Sequence, residues 1–312
     1  LNLTYIIIVS YNASPWLKKC LGSIDFDKFK VIVVDNNSKD DTTSVIEEKY
    51  PQIKLFKEDT NLGFGQANNK GISYALNQGA DQVFLLNQDA YLVDDCIDKL
   101  LLFQQNNPEY GILSPIHTNA SLTKLDRNFS NYVRYDMNPD FYSDHVLGNE
   151  LKPVYEVPFV NAAGWLIRKE CLMRVGGFDP LFFHYGEDDN FCQRVRFHDF
   201  KIGVLPQVFM IHDREDRKKD NIKPYSDAFF NKKTRSFKIK YANVLTHEIN
   251  VFDSEIKRLK RQILKFKLKG KFSYAQANTK FLKSLPSLKQ SITKSYKVNQ
   301  HKGAHYLNLN SN

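Results

Sequence analysis

The sequence predicts an α/β domain over residues 1–220, a single mostly parallel sheet flanked by helices, and a basic, mainly helical region over residues 221–312. Two observations predict it. Short apolar runs alternate with amphipathic segments through the first half of the chain, the pattern of strand–helix–strand units joined by right-handed crossovers. The charge also changes sign along the chain: residues 1–220 carry 24 Lys and Arg against 31 Asp and Glu, residues 221–312 carry 20 against 4. An acidic front and a basic tail imply different surfaces, and the tail suits an anionic partner.

Tyr5 to Val9 is an almost unbroken apolar run, as for a strand buried on both faces. Ser14-Pro15 then reads as a helix cap and first-turn proline, with Leu17, Cys20, Leu21 and Ile24 along one apolar face. Val31 to Val34 is the second strand and ends in Asp35-Asn36-Asn37-Ser38, after which Thr42 or Thr43 caps a helix through Val45 and Ile46. Ile53 to Phe56 is the third strand, followed by Asn61-Leu62-Gly63-Phe64-Gly65 and a helix from about Gln66 to Leu76. Val83 to Leu86 delivers Asn87-Gln88-Asp89 at its carboxyl end, Asp94 to Phe103 is helical, and Gly111 to Leu113 is a further strand. In open α/β sheets ligands bind beyond the carboxyl ends of the strands. Ser10-Tyr11-Asn12, Asp35-Asn36-Asn37 and Asn87-Gln88-Asp89 therefore gather at one edge.

Residues 116 to about 156 lose this rhythm and read as a long loop or lid, either contacting substrate or forming an ordinary insertion. Order returns at Val160 to Ile167, a short helix over Lys169 to Val175, and the stretch Phe182 to Arg194. There Glu187, Asp188 and Asp189 open a helix whose dipole favours acids in its first turn. Ile202 to Leu205 and Val208 to Ile211, parted by Pro206, read as the last strands before His212.

From Ser254 the chain reads as helical, with Ile256, Leu259, Ile263 and Phe266 on one stripe and no acid between positions 257 and 271. Residues 254–271 suit the surface of an anionic bilayer; a packing helix with a solvated cationic face is the alternative. No recognition motif points to nucleic acid. No apolar run reaches the ~18 residues of a membrane span. The opening residues lack a basic leader and cleavage site, so they are expected to be strand, and the protein cytoplasmic. Cys20, Cys96, Cys171 and Cys192 have neither disulfide nor zinc spacing, consistent with reduced structural thiols.

Six motifs in order, Ile7 to Asn12, Val31 to Thr42, Asn61 to Asn69, Leu85 to Ala90, Gly176 to Asp179 and Gly186 to Arg194, resemble the family 2 inverting glycosyltransferases of GT-A fold, particularly their bacterial rhamnosyltransferase-like branch. The resemblance spans roughly residues 3–214. It implies a nucleotide-diphosphate sugar donor at Ser10, Tyr11, Asn12, Asp35, Asn37, Asn61, Gly63, Asn87 and Gln88, with Asp35 reading base or ribose. Asn87-Gln88-Asp89 stands where the family has DxD. It implies a divalent metal, Mg or Mn, on Asp89, with His212 as a further ligand. Asp188 is implied as the base on an acceptor hydroxyl, with Glu187 and Arg194 as its setting and Asp189 as runner-up base. Trp165, Tyr185 and Asp189 are implied on the acceptor side, the acceptor being a glycan or lipid-linked glycan at the inner face of the membrane. Asn190 stands where the family often has an aspartate. A sugar-phosphate nucleotidyltransferase and a non-catalytic glycan- or membrane-binding module are the competing functions.

Overall fold

The computed structural model describes residues 3–214 and 221–310, so the predicted boundary at residue 220 lies outside the described residues. Residues 3–214 together with 302–310 form one compact unit, and residues 221–301 form a second.

The first unit is built on a nine-stranded sheet ordered β3-β2-β1-β4-β8-β6-β9-β5, with β7 also paired to β9. β1 (Thr4–Ser10), β2 (Lys30–Asp35), β3 (Lys54–Lys57) and β4 (Gln82–Asn87) run parallel, as the alternating pattern requires. α1 (Ser14–Gly22), α2 (Thr42–Lys49) and α3 (Phe64–Asn77) make the crossovers. Successive strand side chains point to opposite faces. Ile6, Ile8, Val31 and Val33 accordingly pack with Leu17, Cys20 and Ile46 of α1 and α2. Ile7, Ile32 and Val34 pack with Ala67, Ile72 and Ala75 of α3 on the other face.

Beyond β4 the sheet is mixed. β8 (Gly164–Arg168) is antiparallel to both β4 and β6 (Tyr110–Thr118). β9 is one strand from Lys201 to His212, where the sequence suggests two. Pro206 is tolerated because the register slips there: Leu205 faces Pro115, but Phe209 is the next residue paired, to Ile116. The bulge removes Pro206 from the ladder it cannot join. Two short strands, β5 (Ala90–Leu92) and β7 (Tyr155–Glu156), pair antiparallel with β9 and escape the sequence reading. α4 (Cys96–Asn106) covers the sheet as predicted. The supposed lid contains α5 (Pro139–Leu147), whose Asn138 side chain accepts from the Phe141 backbone N–H.

α6 (Lys169–Val175) and α7 (Glu187–Phe197) complete the unit with the C-terminal segment. Gly177 N–H donates to the His305 carbonyl at 2.8 Å, and Gly303 N–H to the Arg174 carbonyl at 3.0 Å. Gly176, at φ +86°, has no room for a side chain, since a Cβ would lie 2.4 Å from the His305 oxygen. All four cysteines are buried thiols.

The second unit holds α8 (Asp227–Tyr241), α9 (Phe252–Leu268) and α10 (Phe272–Asn299). The apolar stripe of α9 is spent inside it. Leu259 and Ile263 are buried, and Phe266 lies 5.3 Å from Tyr225 and 5.7 Å from Tyr274. α9 is therefore a packing helix with a cationic outer face, and its stripe is not free for a bilayer.

Candidate functional site

The parallel register decides what meets at the sheet edge. Ser10 pairs with Asp35, Val9 with Asn87, and Ala90 with His212, so three strand ends and the end of β9 converge. Above them lies a cavity of about 540 Å³ lined by residues from eight segments of the first unit, among them Tyr11, Asn61, Asn87, Asp89, Asp188 and Arg214.

Asp35 is an organiser. Its carboxylate accepts from Ser10 Oγ at 2.8 Å and from the Ser38 backbone N–H at 2.9 Å, with Ser38 Oγ as a third donor. Asp35 is 2% exposed and is not among the residues lining the cavity. Asn12 joins the same arrangement, its N–H donating to Ser38 Oγ and its Oδ1 accepting from Lys39 N–H, both at 2.8 Å. Asn37 donates to the Asp59 carbonyl at 2.9 Å. Ser10, Asn12 and Asn37 are likewise not among the residues lining the cavity.

The wall itself is a pair of backbone loops read by amides. Gln88 Oε1 accepts from Tyr11 N–H at 2.7 Å, and its Nε2 donates back to the Tyr11 carbonyl at 3.2 Å. Asn36 accepts from Leu62 N–H and donates to the Gly63 carbonyl, while Asn61 Oδ1 accepts from Gly63 N–H. Gly63, at φ +78°, allows the Phe183 carbonyl to approach: a Cβ there would lie 2.0 Å from that oxygen. This close approach brings Phe183, His184 and Tyr185 to the cavity mouth, with Phe183 60% and Tyr185 55% exposed.

α7 supplies the acids. Glu187 and Asp188 line the cavity; Asp189, one residue on, does not. Burial, then the charge of Asp189, raises the Asp188 carboxyl to about 7, although Asp188 Oδ1 accepts from Asp189 N–H at 3.0 Å. The same burial, with the charge of Asp188, pushes the Tyr132 phenol well up, so this cavity-lining hydroxyl keeps its proton.

At the far end of the sheet edge, His212 Nε2 stands 3.4 Å from Asp89 Oδ1 with both side chains buried. Among the described residues, Asn87 Oδ1 and His212 Nδ1 are buried atoms of cavity-lining side chains that have no hydrogen-bond partner. A buried unpaired acceptor is costly and marks a place for a missing ligand or water. Arg214 holds Asp126 in a bidentate pair at 2.8 and 2.5 Å and lines the cavity. Burial disfavours its charge, but the hydrogen bond and charge of Asp126 outweigh that.

Two predicted site residues are corrected. Trp165 is fully buried, stacked on Phe178 at 6.2 Å and 13° and packed against Phe191 at 5.6 Å, so no sugar can reach it. Arg194 is equally buried and donates to Asn190 Oδ1, the Val175 carbonyl and the Gly177 carbonyl at 2.9, 2.8 and 2.6 Å. It fixes α7 from behind and does not touch the acids through any of these bonds. Asn190 is likewise its partner, not a missing catalytic carboxylate. The sequence reading missed Asn36, Asn128, Tyr132, Asn161 and Arg214 as lining residues. Asn36 lay inside a quoted motif and could have been found; the others come from the long loop and segments whose position only the tertiary fold sets.

A family model described as glycosyl transferase family 2 matches residues 5–176, more than half of the chain. The chain belongs to that family. It is a glycosyltransferase, and the nucleotidyltransferase alternative falls with the assignment. An N-acetylglucosaminyl-diphospho-decaprenol L-rhamnosyltransferase of Mycobacterium tuberculosis is 24% identical over 231 residues, covering 67% of this chain and 75% of the relative. The rhamnosyltransferase WbbL of Escherichia coli is 26% identical over 243 residues, covering 73% and 88%. A mannosyltransferase of Pyrobaculum calidifontis, solved with GDP-Man and Mn2+, matches at a TM-score of 0.52 and 19% identity over 94% of this chain and 73% of that one. That likeness shows the fold, GT-A.

The raised carboxyl of Asp188 carries a pH signature in stability. A carboxyl raised in the folded state binds its proton more tightly there than when unfolded, so its ionisation costs stability as pH climbs from about 4 to about 7 and the cost then levels off. Asp188→Asn should therefore melt higher than the parent at pH 8 and show no such gain at pH 4. Parallel melting curves at the two pH values check this, and an equal difference at both contradicts the raised carboxyl.

Proposed function

We propose that this glycosyltransferase moves a sugar, with inversion, from a nucleotide-diphosphate donor to a hydroxyl of a glycan or lipid-linked acceptor in cell-surface polysaccharide synthesis. The observation that carries the reading is Asp188: a cavity-lining carboxyl raised to about 7 at the head of a rigidly held helix. A general base works best when its pKa lies near the operating pH. The rhamnosyltransferase names of two relatives favour a deoxyhexose as the transferred group.

In this reading the donor lies along Tyr11, Asn61, Gly63, Asn87 and Gln88. Ser10, Asn12, Asp35 and Asn37 hold the loops that present these residues. The Asp188 carboxylate takes the proton of the acceptor hydroxyl. The acceptor oxygen forms its bond to the anomeric carbon as the bond from that carbon to the diphosphate oxygen breaks, and the electron pair leaves with the diphosphate. Glu187 lies beside the base, and Tyr185 lies at the mouth on the acceptor side. Arg214 adds a cation to the cavity, oriented by Asp126. In-line displacement of this kind inverts the anomeric centre.

The residues at the sheet edge suit a divalent cation, Mg or Mn, although the described residues contain no group of three or more His, Cys, Asp or Glu placed to hold a metal ion. Asp89 and His212 would hold it, and the unpartnered Asn87 Oδ1 offers a hard oxygen. Such an ion offsets charge on the departing diphosphate. The mannosyltransferase of the same fold was solved with Mn2+. Among the described residues no helix is long and apolar enough to cross a membrane. A lipid-linked acceptor would place the enzyme peripherally at the cytoplasmic membrane face, with the basic segment 254–271 as the contact.

Asp188→Asn should lower transfer by ~10²–10⁴-fold, the usual contribution of a general base, while donor binding survives. Turnover near the parent value contradicts the assignment. Exhaustive chelation should suppress transfer and added Mg or Mn restore it; full activity in chelated buffer removes the metal from the account.

A further inference from the structure

We infer that the tip of the α9–α10 hairpin is a docking surface for anionic phospholipid, inserted by three apolar side chains and held by the lysines between them. Leu264 is 58% exposed, Leu268 81% and Phe272 69%. Leu264 and Leu268 are one helical turn apart and so share a face. Phe272 opens α10 just beyond Gly270, whose φ of +65° makes the turn. These side chains are not leftovers of an incomplete core, because Leu259, Ile263 and Ala275 on the inward side are already buried.

The charge around them selects the occupant. Lys265, Lys267, Lys269 and Lys271 alternate with the apolar residues, all are exposed, and none is in an ion pair among the described residues. Lys257, Lys260 and Arg261 extend the cationic face up α9, with no ion pair among the described residues. Beside Phe272 a groove of about 710 Å³ adds Lys267 and Lys283, while its third lysine, Lys280, is paired with Asp227 at 3.2 Å. A protein partner for so many uncompensated cations would itself have to be strongly acidic and also apolar at its centre. An anionic bilayer offers both at once: acyl chains for Leu268 and Phe272, phosphates for the lysines. The occupied stripe of α9 means that contact is made end-on by the hairpin, not by a helix lying along its apolar side.

The inference draws its purpose from the proposed lipid-linked acceptor, but flotation reads membrane contact without any transfer, so either can fail alone. The full chain should float with vesicles of phosphatidylcholine and phosphatidylglycerol, at least about tenfold more than with phosphatidylcholine alone, and less as salt rises. Leu268→Ser/Phe272→Ser should abolish recovery with circular dichroism unchanged, since both positions are exposed. Lys267→Gln/Lys269→Gln/Lys271→Gln should remove the preference for anionic lipid. Equal recovery from both vesicles, or flotation indifferent to the Leu268 and Phe272 changes, overturns the inference. So does a parent chain that sediments as a dimer without lipid, is made monomeric by the Leu268 and Phe272 changes, and does not float: the tip would then cover a second copy.

Discussion

The guanidinium of Arg194 is buried without solvent and spends its hydrogens on the Val175 and Gly177 carbonyls and on Asn190. α7 cannot turn about its axis without stranding that charge, and stranding a buried charge costs about 3–5 kcal/mol. The acids at the head of α7 inherit this fixity. The same segment is backed by the C-terminal residues, where the Tyr306 ring lies 5.7 Å from the guanidinium and its hydroxyl reaches Asp179 at 3.3 Å. The glycines at 176 and 177 allow this close packing because neither His305 nor Leu307 would leave room for a Cβ. Carboxyl groups built on a helix held this way keep their geometry without help from a substrate.

Two aspartates show how environment divides labour. Asp35 and Asp188 both lie at the carboxyl end of the sheet or just above it. Asp35 is surrounded by donors, Ser10, Ser38 and the Ser38 backbone N–H, and holds loops. Asp188 also has backbone donors, at Asp189, Asp188 and Gly186, but desolvation and the charge of Asp189 outweigh them and raise its carboxyl to about 7. Donor-rich surroundings make a carboxylate a structural anchor; desolvation beside a like charge raises its affinity for a proton, as the proposed base requires.

Much of this was legible in the sequence because buried parallel strands and amphipathic crossovers write their period directly into the chain. β1 to β4, α1 to α4, and α6 and α7 fall where the apolar runs put them. The polar strand ends could be placed at one edge before any coordinate was known. What escaped depended on pairing at a distance. β5 is three residues long and exists because Ala90 to Leu92 finds Met210 to His212. The C-terminal return is invisible in a segment that has no period of its own. Trp165 illustrates the limit of composition: an aromatic near a sugar site and an aromatic in the core are the same letter, and its strand register put it against Phe178 and Phe191. Arg194 is the reverse case, a charged side chain that packing places wholly inside.

The central claim is that a base on α7 drives an in-line displacement at the sheet edge, and the stereochemistry of the product reports on it directly. With the donor identified by screening nucleotide sugars for hydrolysis, the anomeric configuration of the new linkage can be read by proton NMR against that of the donor. The account predicts inversion, a β-linked product from an α-linked donor or the reverse. Retention of the donor configuration would contradict it, because retention requires two displacements or a different face of attack, and the single base at Asp188 supplies neither.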